Sequence, residues 1–294
     1  MISVMKATVD FAYGATLGEG PVWDEQESRL YWVDILSGKL FRYDPYNKNN
    51  EIFDIGEHLG CVALREEGGL VMARQSGFAF FDPEQRKVTS ITESKFQSPD
   101  SRFNDGKCDP SGRFWAGTLS YDLEEGAGSL YCLDQNLDTE VKLRELTIPN
   151  GMAWNRKGDK FLFIDTPTRK LQAFDYDDKS GEITNPLVVK KFDEEEGFPD
   201  GMTIDREGAL WVALYNGGKV VRIDPGSGET LFEVHLPVPQ VTSCTFGGAD
   251  FNELYITTGR EYMSADDIDQ WPLSGSLFKV ELPFKGRTST RFAG

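Results

Sequence analysis

Apolar and polar positions alternate in short runs along the whole chain, and these runs form a unit that recurs six times. The units begin at residues 19, 60, 104, 150, 200 and 242, at intervals of 41 to 50 residues. A first apolar run, such as Glu19–Asp24 or Asp200–Asp205, leads into a turn. Val, Ile, Phe, Tyr and Trp fill the runs and Asp, Asn, Gly and Pro fill the gaps, which is typical of strands joined by turns.

Each unit continues through further runs after that turn. A second apolar run follows, as in Leu30–Val33, and a third alternating run ends in an acidic residue, as in Lys39–Asp44. A weaker fourth run, such as Glu51–Ile55, closes most units. The last unit ends after its third run, Ser276–Glu281, and the alternating segment Ala7–Phe11 is predicted to supply the missing strand.

Four short strands repeated at this interval are typical of the blades of a β-propeller. The pattern therefore predicts an all-β fold, a six-bladed β-propeller of four-stranded blades in which the N-terminal strand closes the ring. No Pro-, Gly- or Ser-rich linker divides the chain, so we expect residues 1–294 to form a single propeller domain. Closure of the ring leaves only short, protected sheet edges.

The chain is acidic, with a formal net charge of −17 and no basic tract. Phosphate binding needs clustered Lys and Arg, so nucleic acid is not expected as a partner, and neither is an anionic membrane surface. No apolar run approaches the length of a membrane span. Most of the carboxylates are interpreted as solvating the surface, and nothing marks an oligomer interface.

The cysteines and the N-terminus indicate the compartment. Cys61, Cys108, Cys132 and Cys244 have no metal-type spacing, and three of them lie in predicted first strands. We expect reduced core residues, with one disulfide left open as the alternative. The first ten residues lack the apolar segment of a signal peptide. A cytoplasmic protein is the expectation.

The first residues of the six units are candidates for chemistry. The first strand of each propeller blade lines the central channel, so these residues should ring one mouth of it. In chain order they are Glu19, Gly60, Asn104, Asn150, Asp200 and Thr242. Four of the six are good oxygen ligands. Taken singly, Glu19, Asn150 and Asp200 could equally be turn formers before glycine.

Side chains two apart in a strand share a face, which predicts the layers above and below this ring. The layer below should be apolar or featureless: Pro21, Val62, Gly106, Met152, Met202 and Cys244. The layer toward the mouth should form a mixed vestibule: Leu17, His58, Arg102, Ile148, Phe198 and Gln240. A polar ring over an apolar floor is typical of a small-molecule site.

Two carboxylates and two amides around a narrow axis need a partner, because like charges crowd each other unless a cation neutralises them. Oxygen ligands favour a hard ion, so the expected cofactor is one divalent metal ion: Ca²⁺, Mg²⁺ or Mn²⁺, with Zn²⁺ tolerated. The chain has only two histidines, which excludes a histidine-rich zinc site.

The vestibule contains three candidate substrate contacts. Arg102 shares a face with Asn104, and its forked donor suits a polyhydroxylated or anionic substrate, although a surface salt bridge is the alternative. His58 could touch substrate or simply cap or pack. The polar segment Leu119–Gly128 is either an exposed loop or a lid that brings Tyr121 or Asp122 to the substrate.

At these residues the chain resembles the SMP-30/gluconolactonase/luciferin-regenerating-enzyme family, and most closely its regucalcin-type members. The matching segments span nearly the whole chain: Leu17–Trp23, Arg102–Lys107, Phe114–Thr118, Asn150–Met152, Pro199–Met202, Leu210–Ala213 and Phe246–Gly248. The resemblance implies a six-bladed propeller that holds one divalent ion through Glu19, Asn150 and Asp200. It also implies substrate contacts from Arg102 and Asn104, with Asp122 in the place of an acidic lid residue that contacts sugar.

Both lines of reasoning lead to one hypothesis about activity. A metal-dependent lactonase of the gluconolactonase type would open a small-molecule sugar lactone to an aldonate, with Asp200 as general base. Arg102 and Asn104 would hold the ring hydroxyls. Two alternatives stay open: a calcium-binding regulatory protein of the regucalcin type, and a metal-dependent phosphotriesterase or aryl esterase.

Overall fold

The computed structural model describes residues 2–91 and 100–294. Its strands follow one another in chain order, and we number them accordingly. The first two strands are β1 (Ser3–Lys6) and β2 (Thr8–Phe11), and the next four form blade 1: β3 (Gly18–Asp24), β4 (Arg29–Asp34), β5 (Lys39–Asp44) and β6 (Asn49–Asp54). Blade 2 contains β7 (Leu59–Leu64), β8 (Leu70–Arg74), β9 (Gly77–Asp82) and β10 (Lys87–Ser90). Blade 3 contains β11 (Ser101–Cys108), β12 (Phe114–Ser120), β13 (Gly128–Leu133) and β14 (Thr139–Leu146).

The second half of the ring repeats this arrangement. Blade 4 contains β15 (Pro149–Trp154), β16 (Lys160–Asp165), β17 (Lys170–Asp177) and β18 (Glu182–Lys191). Blade 5 contains β19 (Phe198–Ile204), β20 (Leu210–Tyr215), β21 (Lys219–Ile223) and β22 (Thr230–His235). Blade 6 contains β23 (Val241–Gly247), β24 (Glu253–Thr258) and β25 (Leu277–Glu281). Two 3-10 turns (Thr166–Thr168 and Glu194–Glu196) and one helix, α1 (Ala265–Gln270), lie in the loops.

The predicted six-bladed propeller and its closure by the N-terminal segment are both confirmed. Strand β2 pairs antiparallel with β25 and completes blade 6. The pattern did not predict β1, which runs parallel to β22 as a fifth strand of blade 5. The amide of Ala7 donates to the carbonyl of His235 (3.0 Å) where the chain passes from blade 5 to blade 6. The N-terminal segment therefore joins two blades.

The core lies between neighbouring blades. Trp23 of blade 1 stacks on Tyr255 of blade 6, with ring centroids 5.7 Å apart, and Met202 of blade 5 packs in one cluster with Ile164 of blade 4. Alternation along each strand sends apolar side chains to both faces, since each blade packs against two neighbours. Buried apolar area thus stabilises the ring as a whole.

Each first strand carries a β-bulge at or just after its channel residue. In β3 the pairing with β4 shifts by one residue between Glu19 and Val22, and β11, β15 and β19 shift at the corresponding place. A bulge adds one residue to one strand and re-aims the side chains that follow it. Side chains beyond the bulge therefore leave the strict alternation that the sequence suggests.

Acidic residues at the ends of third strands form turns. The Oδ1 atoms of Asp44, Asp82 and Asp224 each accept a hydrogen bond of 2.9 Å from the amide two residues later. This is the Asx-turn geometry that favours Asp at such positions. Part of the negative charge therefore has a local structural role in addition to solvation.

The last residues cross the face of the propeller opposite the unit-start ring. Gly286 pairs with Asp205 of blade 5, Arg291 forms an ion pair with Asp24 of blade 1 (2.7 Å), and Ala293 donates to the carbonyl of Gly112 in blade 3. This segment spans one end of the channel. Within residues 2–91 and 100–294, no helix is long and apolar enough to traverse a lipid bilayer.

Candidate functional site

The structure brings the four predicted oxygen-bearing residues together at one mouth of the channel. Glu19, Asn104, Asn150 and Asp200 lie near the starts of β3, β11, β15 and β19, and each is only 4–6% exposed. The amide nitrogen of Asn104 donates to Oδ1 of Asn150 (3.2 Å), and the carboxyl groups of Glu19 and Asp200 lie close enough for each to act on the pKa of the other. Blades 1, 3, 4 and 5 each contribute one side chain to the ring.

The two remaining positions of the ring are closed by packing. A Cβ atom on Gly60 would lie 2.6 Å from the backbone of Phe103, so the second blade has no room for a side chain here. Thr242 is fully buried, and its hydroxyl donates to the carbonyl of Gly18 (2.5 Å). These two positions hold neighbouring blades together and add no charge to the channel.

Thr166 fixes the orientation of Asn150, and sequence reasoning missed it. The amide nitrogen of Asn150 donates to the Thr166 hydroxyl (2.9 Å), which donates to the carbonyl of Pro199 (2.8 Å). This chain commits the amide nitrogen to blade 4 and directs the amide oxygen into the ring. Its position in the sequence could have identified Thr166. The residue directly follows β16, and the second strand of a blade ends at the same mouth of the channel as the ring.

The ring is electrostatically strained without a cation. Burial, together with the Asp105 carboxylate, raises the pKa of Glu19 from 4.5 to about 8. Burial, together with Glu19, raises the pKa of Asp200 well above its ordinary value. Two buried carboxyl groups this close cannot both be charged at low cost unless positive charge is supplied.

The ring fits a hard divalent ion. Oδ1 of Asp200 is buried and has no hydrogen-bond partner among the described residues, and an orphaned buried acceptor of this kind needs a donor or a cation. In the described part of the chain, no three His, Cys, Asp or Glu side chains cluster closely enough to hold a metal. An ion at this mouth would therefore be held by Glu19, Asp200 and the amide oxygen of Asn150, all oxygen ligands.

Arg102 faces the same space from β11 and is 6% exposed. Its Nη1 atom donates to Oδ1 of Asn104 (2.7 Å) and to the carbonyl of Phe103 (3.1 Å). Glu261, Tyr121 and Glu19 are the first three charge partners that act on its pKa, although burial is the larger effect and lowers it. Asn104 thus links the guanidinium to the ring. The alternative of a surface salt bridge is wrong, because the side chain is buried and no direct ion pair with it forms among the described residues.

The vestibule wall is partly as predicted. Nδ1 of His58 lies 2.7 Å from the Tyr121 hydroxyl, so the loop after β12 reaches the mouth through Tyr121. Asp122 is exposed, and its amide donates to the Ser120 hydroxyl (3.3 Å). Of the two loop residues, Tyr121 is the one whose charge acts on Arg102. A substrate contact from Asp122 stays a prediction.

Glu261 and Tyr215 belong to the vestibule and were missed by sequence reasoning. Glu261 follows β24, and Tyr215 ends β20, so both lie where second strands reach the mouth. Burial raises the pKa of Tyr215, and so do the charges of Glu261 and Asp200. Both residues could have been identified from their position in the sequence, because each lies at or shortly after the end of a second strand, as Thr166 does.

The predicted floor is correct in part: Pro21, Val62, Gly106 and Cys244 line the space below the ring, whereas Met152 and Met202 do not. Below the ring lies a cavity of about 130 Å³ that is lined by Asp105 and Lys107 together with hydroxyl groups from blades 5 and 6. Nζ of Lys107 donates to the carbonyl of Met202 (2.6 Å), while Met152 and Met202 pack between blades. The bulge explains the difference, because it turns the methionines away from the channel and turns Asp105 and Lys107 toward it.

Comparison with known proteins gives a consistent result. Residues 17–260 match the family model described as SMP-30/Gluconolactonase/LRE-like region. The chain is 40% identical over 292 residues to YvrE of Bacillus subtilis (strain 168), provisionally named a sugar lactone lactonase, with 99% of both chains covered. It is also 40% identical to regucalcin of Xenopus laevis over 284 residues, 95% of both chains.

A solved structure agrees with the fold over its full length. The calcium-binding protein regucalcin from Agrobacterium tumefaciens superposes with a TM-score of 0.94 at 26% identity, and 99% of each chain is covered. The family match covers every blade that contributes to the ring, and the relatives match nearly end to end. The chain therefore belongs to the SMP-30/gluconolactonase/LRE-like family.

Proposed function

We propose that this protein is a divalent-metal-dependent lactonase that opens a small-molecule sugar lactone to an aldonate. The observation that carries the proposal is the buried ring of Glu19, Asn150 and Asp200, in which one carboxylate oxygen lacks a partner. Membership of a family that contains sugar lactone lactonases supports the reaction class. Calcium in the name of a structural relative supports a divalent ion.

Glu19, Asn150 and Asp200 would hold the ion. When bound there, a divalent cation supplies the positive charge that polarises an ester carbonyl and offsets the buried carboxylates. The protein shields the site from bulk solvent, since all three side chains are at most 6% exposed. A low local dielectric strengthens every charge interaction with the substrate.

Arg102 and Asn104 would orient the lactone ring. Nη1 of Arg102 is committed to Asn104 and to the backbone, which holds the guanidinium in one geometry. Its remaining N–H groups would donate to ring hydroxyls of a lactone bound in the vestibule. Such fixed donors reduce the entropy lost in positioning the substrate and set the angle of attack.

Asp200 is the proposed general base. As a ligand of the ion, its carboxylate would lie beside the water that attacks the lactone carbonyl, which is the position that a general base needs. Asp200 would take a proton from the attacking water and later return it to the ring oxygen that leaves. The open-chain aldonate then departs through the mouth that admitted the lactone.

A metal-resolved assay tests the proposal. The metal-free protein is supplied separately with Ca²⁺, Mg²⁺, Mn²⁺ or Zn²⁺, and acid release from D-glucono-1,5-lactone is followed against spontaneous opening. We expect metal-dependent turnover that is at least a hundredfold lower in Asp200→Asn. Glu195→Gln, which changes an exposed carboxylate in the turn before β19, should leave turnover unchanged.

The same assay separates the alternatives. Calcium binding without turnover of any aldonolactone would favour a regulatory calcium-binding protein, a role for which the regucalcin relatives are the supporting observation. Turnover of phosphotriesters or aryl esters but not of sugar lactones would contradict the proposal. Near-normal turnover by Asp200→Asn with metal still bound would remove Asp200 as base.

A further inference from the structure

Lys107 carries a positive charge inside the channel, below the ring. It lies in β11 of blade 3, and its Nζ atom donates to the carbonyl of Met202 in β19 of blade 5 (2.6 Å). Because blade 4 lies between these two blades, the side chain spans part of the channel. Met202 follows Asp200 by two residues in the same strand. The ammonium is therefore held just beneath the carboxylates of the ring.

The cavity below the ring is the channel itself. The first strands of all six blades line it, and residues 287–290 of the C-terminal segment border it at the far end. Gly106 and Cys108 are buried on either side of Lys107, which is only half-buried, so the lysine owes its exposure to this cavity. An ammonium has three N–H donors, and among the described residues the hydrogen bond to Met202 is the only one that Nζ makes. The remaining donors depend on what fills the cavity.

Oxygen atoms that suit a cation border the same cavity. Asp105, which is 6% exposed and precedes Lys107 by two residues in β11, contributes a carboxylate. Blades 5 and 6 contribute three residues with hydroxyl groups: Thr203, Ser243 and Thr245. The Ser243 hydroxyl packs against Gly201, the residue before Met202, so it lies beside the strand that binds the ammonium. Carboxylate, carbonyl and hydroxyl oxygens are the ligands that hard cations prefer.

Lys107 offsets the charge of Asp105 in this space. Burial lowers the pKa of the Lys107 ammonium, and Asp105 acts in the opposite direction as its first charge partner. In the described structure Arg287 is the only other charged residue that lines the cavity, and it is exposed, so solvent screens its charge. A buried carboxylate is costly unless positive charge lies near it. Asp105 therefore depends on Lys107.

We propose that Lys107 is the resident cation of the channel and occupies the position that a second metal ion, or another small cation, would otherwise take. Its ammonium neutralises Asp105 and repels further cations. The channel therefore admits a single divalent ion, at the ring above. Only this last consequence rests on the proposed metal site, because a covalently tethered charge stays in place whether or not the ring holds its ion.

A rescue experiment tests the cation position without metal or turnover. Lys107→Ala removes the ammonium and most of its alkyl chain, which leaves room for a small cation. Thermal unfolding of wild type, Lys107→Ala and the control Lys160→Ala, which changes an exposed lysine of β16, is measured in ethylammonium chloride. Choline chloride, whose cation has no N–H donor, controls for ionic strength, and ethanol controls for uncharged filling of the cavity. We expect ethylammonium alone to raise the Tm of Lys107→Ala, by about 3 °C or more, and to leave the other two proteins unchanged.

A second comparison does not need a cation to enter the channel. Lys107→Met removes the charge but keeps most of the side-chain volume, so the Tm should fall because Asp105 loses its counter-charge. Adding Asp105→Asn to Lys107→Met should restore about half of that loss or more, since the two charges are coupled. The asparagine keeps an oxygen for the Gly106 amide, which donates to Asp105 Oδ1 (2.7 Å). This pair of variants decides the question even if Lys107→Ala does not fold.

Calorimetric titration with Ca²⁺ then counts the ions. Wild type and Lys160→Ala should bind one ion per chain, and Lys107→Ala should bind two. One ion in Lys107→Ala, equal rescue by ethylammonium and ethanol, or additive losses from Lys107→Met and Asp105→Asn would each overturn the role of Lys107 as a cation. Absence of Ca²⁺ binding in all three proteins, with the rescue by ethylammonium intact, would contradict the metal ring of the proposed function and support Lys107.

Discussion

Single residues at the channel mouth combine burial with charge, and Arg102 shows the consequence. Its guanidinium is 6% exposed and pairs through Nη1 with the amide oxygen of Asn104. Removal of the side chain would leave that oxygen and the Phe103 carbonyl without their donor. Arg102→Ala should therefore also cost stability, about 1–3 kcal/mol, since unsatisfied buried acceptors are expensive.

Arg102→Lys tests the role of the guanidinium more directly, because lysine keeps the positive charge but lacks the planar, two-pronged set of N–H donors. We expect kcat/KM for lactone hydrolysis to fall about ten- to hundredfold, with divalent-metal affinity close to wild type. Steady-state kinetics and calorimetric metal titration measure the two quantities. Wild-type kinetics in Arg102→Lys would show that one charged donor suffices and that the fork has no role.

Glu19 makes the stability of the metal-free protein depend on pH. The folded protein raises its pKa from 4.5 to about 8, so between these values the folded state binds more protons than the unfolded state. The free energy of unfolding should therefore be highest below about pH 4.5, as far as this group contributes, and fall as pH rises to about 8.

Chemical denaturation in the presence of a chelator at pH 5 and pH 8 measures this dependence. Glu19→Gln should flatten the fall, because it removes the buried charge, while Glu195→Gln should leave it as in wild type. A divalent ion should restore stability most at pH 8. If the free energy of unfolding depended on pH identically in wild type and Glu19→Gln, the buried Glu19 carboxylate would not be the cause of that dependence.

At the scale of the strand, glycines beside the ring let first strands approach one another. A Cβ atom on Gly151 would lie 2.5 Å from the carbonyl oxygen of Asp200 and 3.0 Å from the amide of Met202. Backbone atoms cannot yield as a flexible side chain does. The spacing of β15 and β19, which sets the distance between Asn150 and Asp200, therefore depends on the absence of this side chain.

Gly151→Ala should displace β19 at Asp200 and weaken metal binding at least tenfold, with a loss of stability of about 1–3 kcal/mol. The control is Gly226→Ala, since a Cβ there meets nothing closer than a side-chain oxygen at 3.4 Å. Calorimetry and thermal unfolding measure both effects. Unchanged metal affinity in Gly151→Ala would show that the ring tolerates a shift of its strands.

At the scale of the whole molecule, the N-terminal segment has two parts with different roles. All four residues of β1 are exposed, and the strand only extends blade 5. Strand β2 completes blade 6, and the Tyr43 hydroxyl of blade 1 donates to Oδ2 of Asp10 within it (2.9 Å). Ring closure therefore depends on β2.

Two truncations test this division. Removal of residues 1–6 should lower the Tm by only a few degrees, because little buried surface is lost. Removal of residues 1–11 should lower the Tm by more than about 10 °C or cause aggregation, because the edge of β25 becomes unpaired. Calorimetry and size-exclusion chromatography measure the outcome, and equal stability of the two truncated proteins would contradict the assigned role of β2.

Much of the fold and part of the site could be predicted from the sequence. The unit of four alternating runs is local information, since strand and turn propensities act within a few residues. Its sixfold repetition then places the first residue of every unit at one end of the channel by symmetry. That is why the approach of Glu19, Asn104, Asn150 and Asp200 was predictable without coordinates, as was ring closure by Ala7–Phe11.

The tertiary structure determined the features of the site that do not follow from the sixfold repetition. The bulge in each first strand depends on pairing with its neighbour, so alternation alone placed Met202 in the channel and concealed Asp105 and Lys107. Glu261 lies on a non-repeating loop, far in sequence from Arg102, and only the closed ring brings its charge near enough to act on the pKa of Arg102. A local pattern determines strands and their order, whereas pairing register and loop packing determine which side chains meet, because both depend on contacts between distant segments.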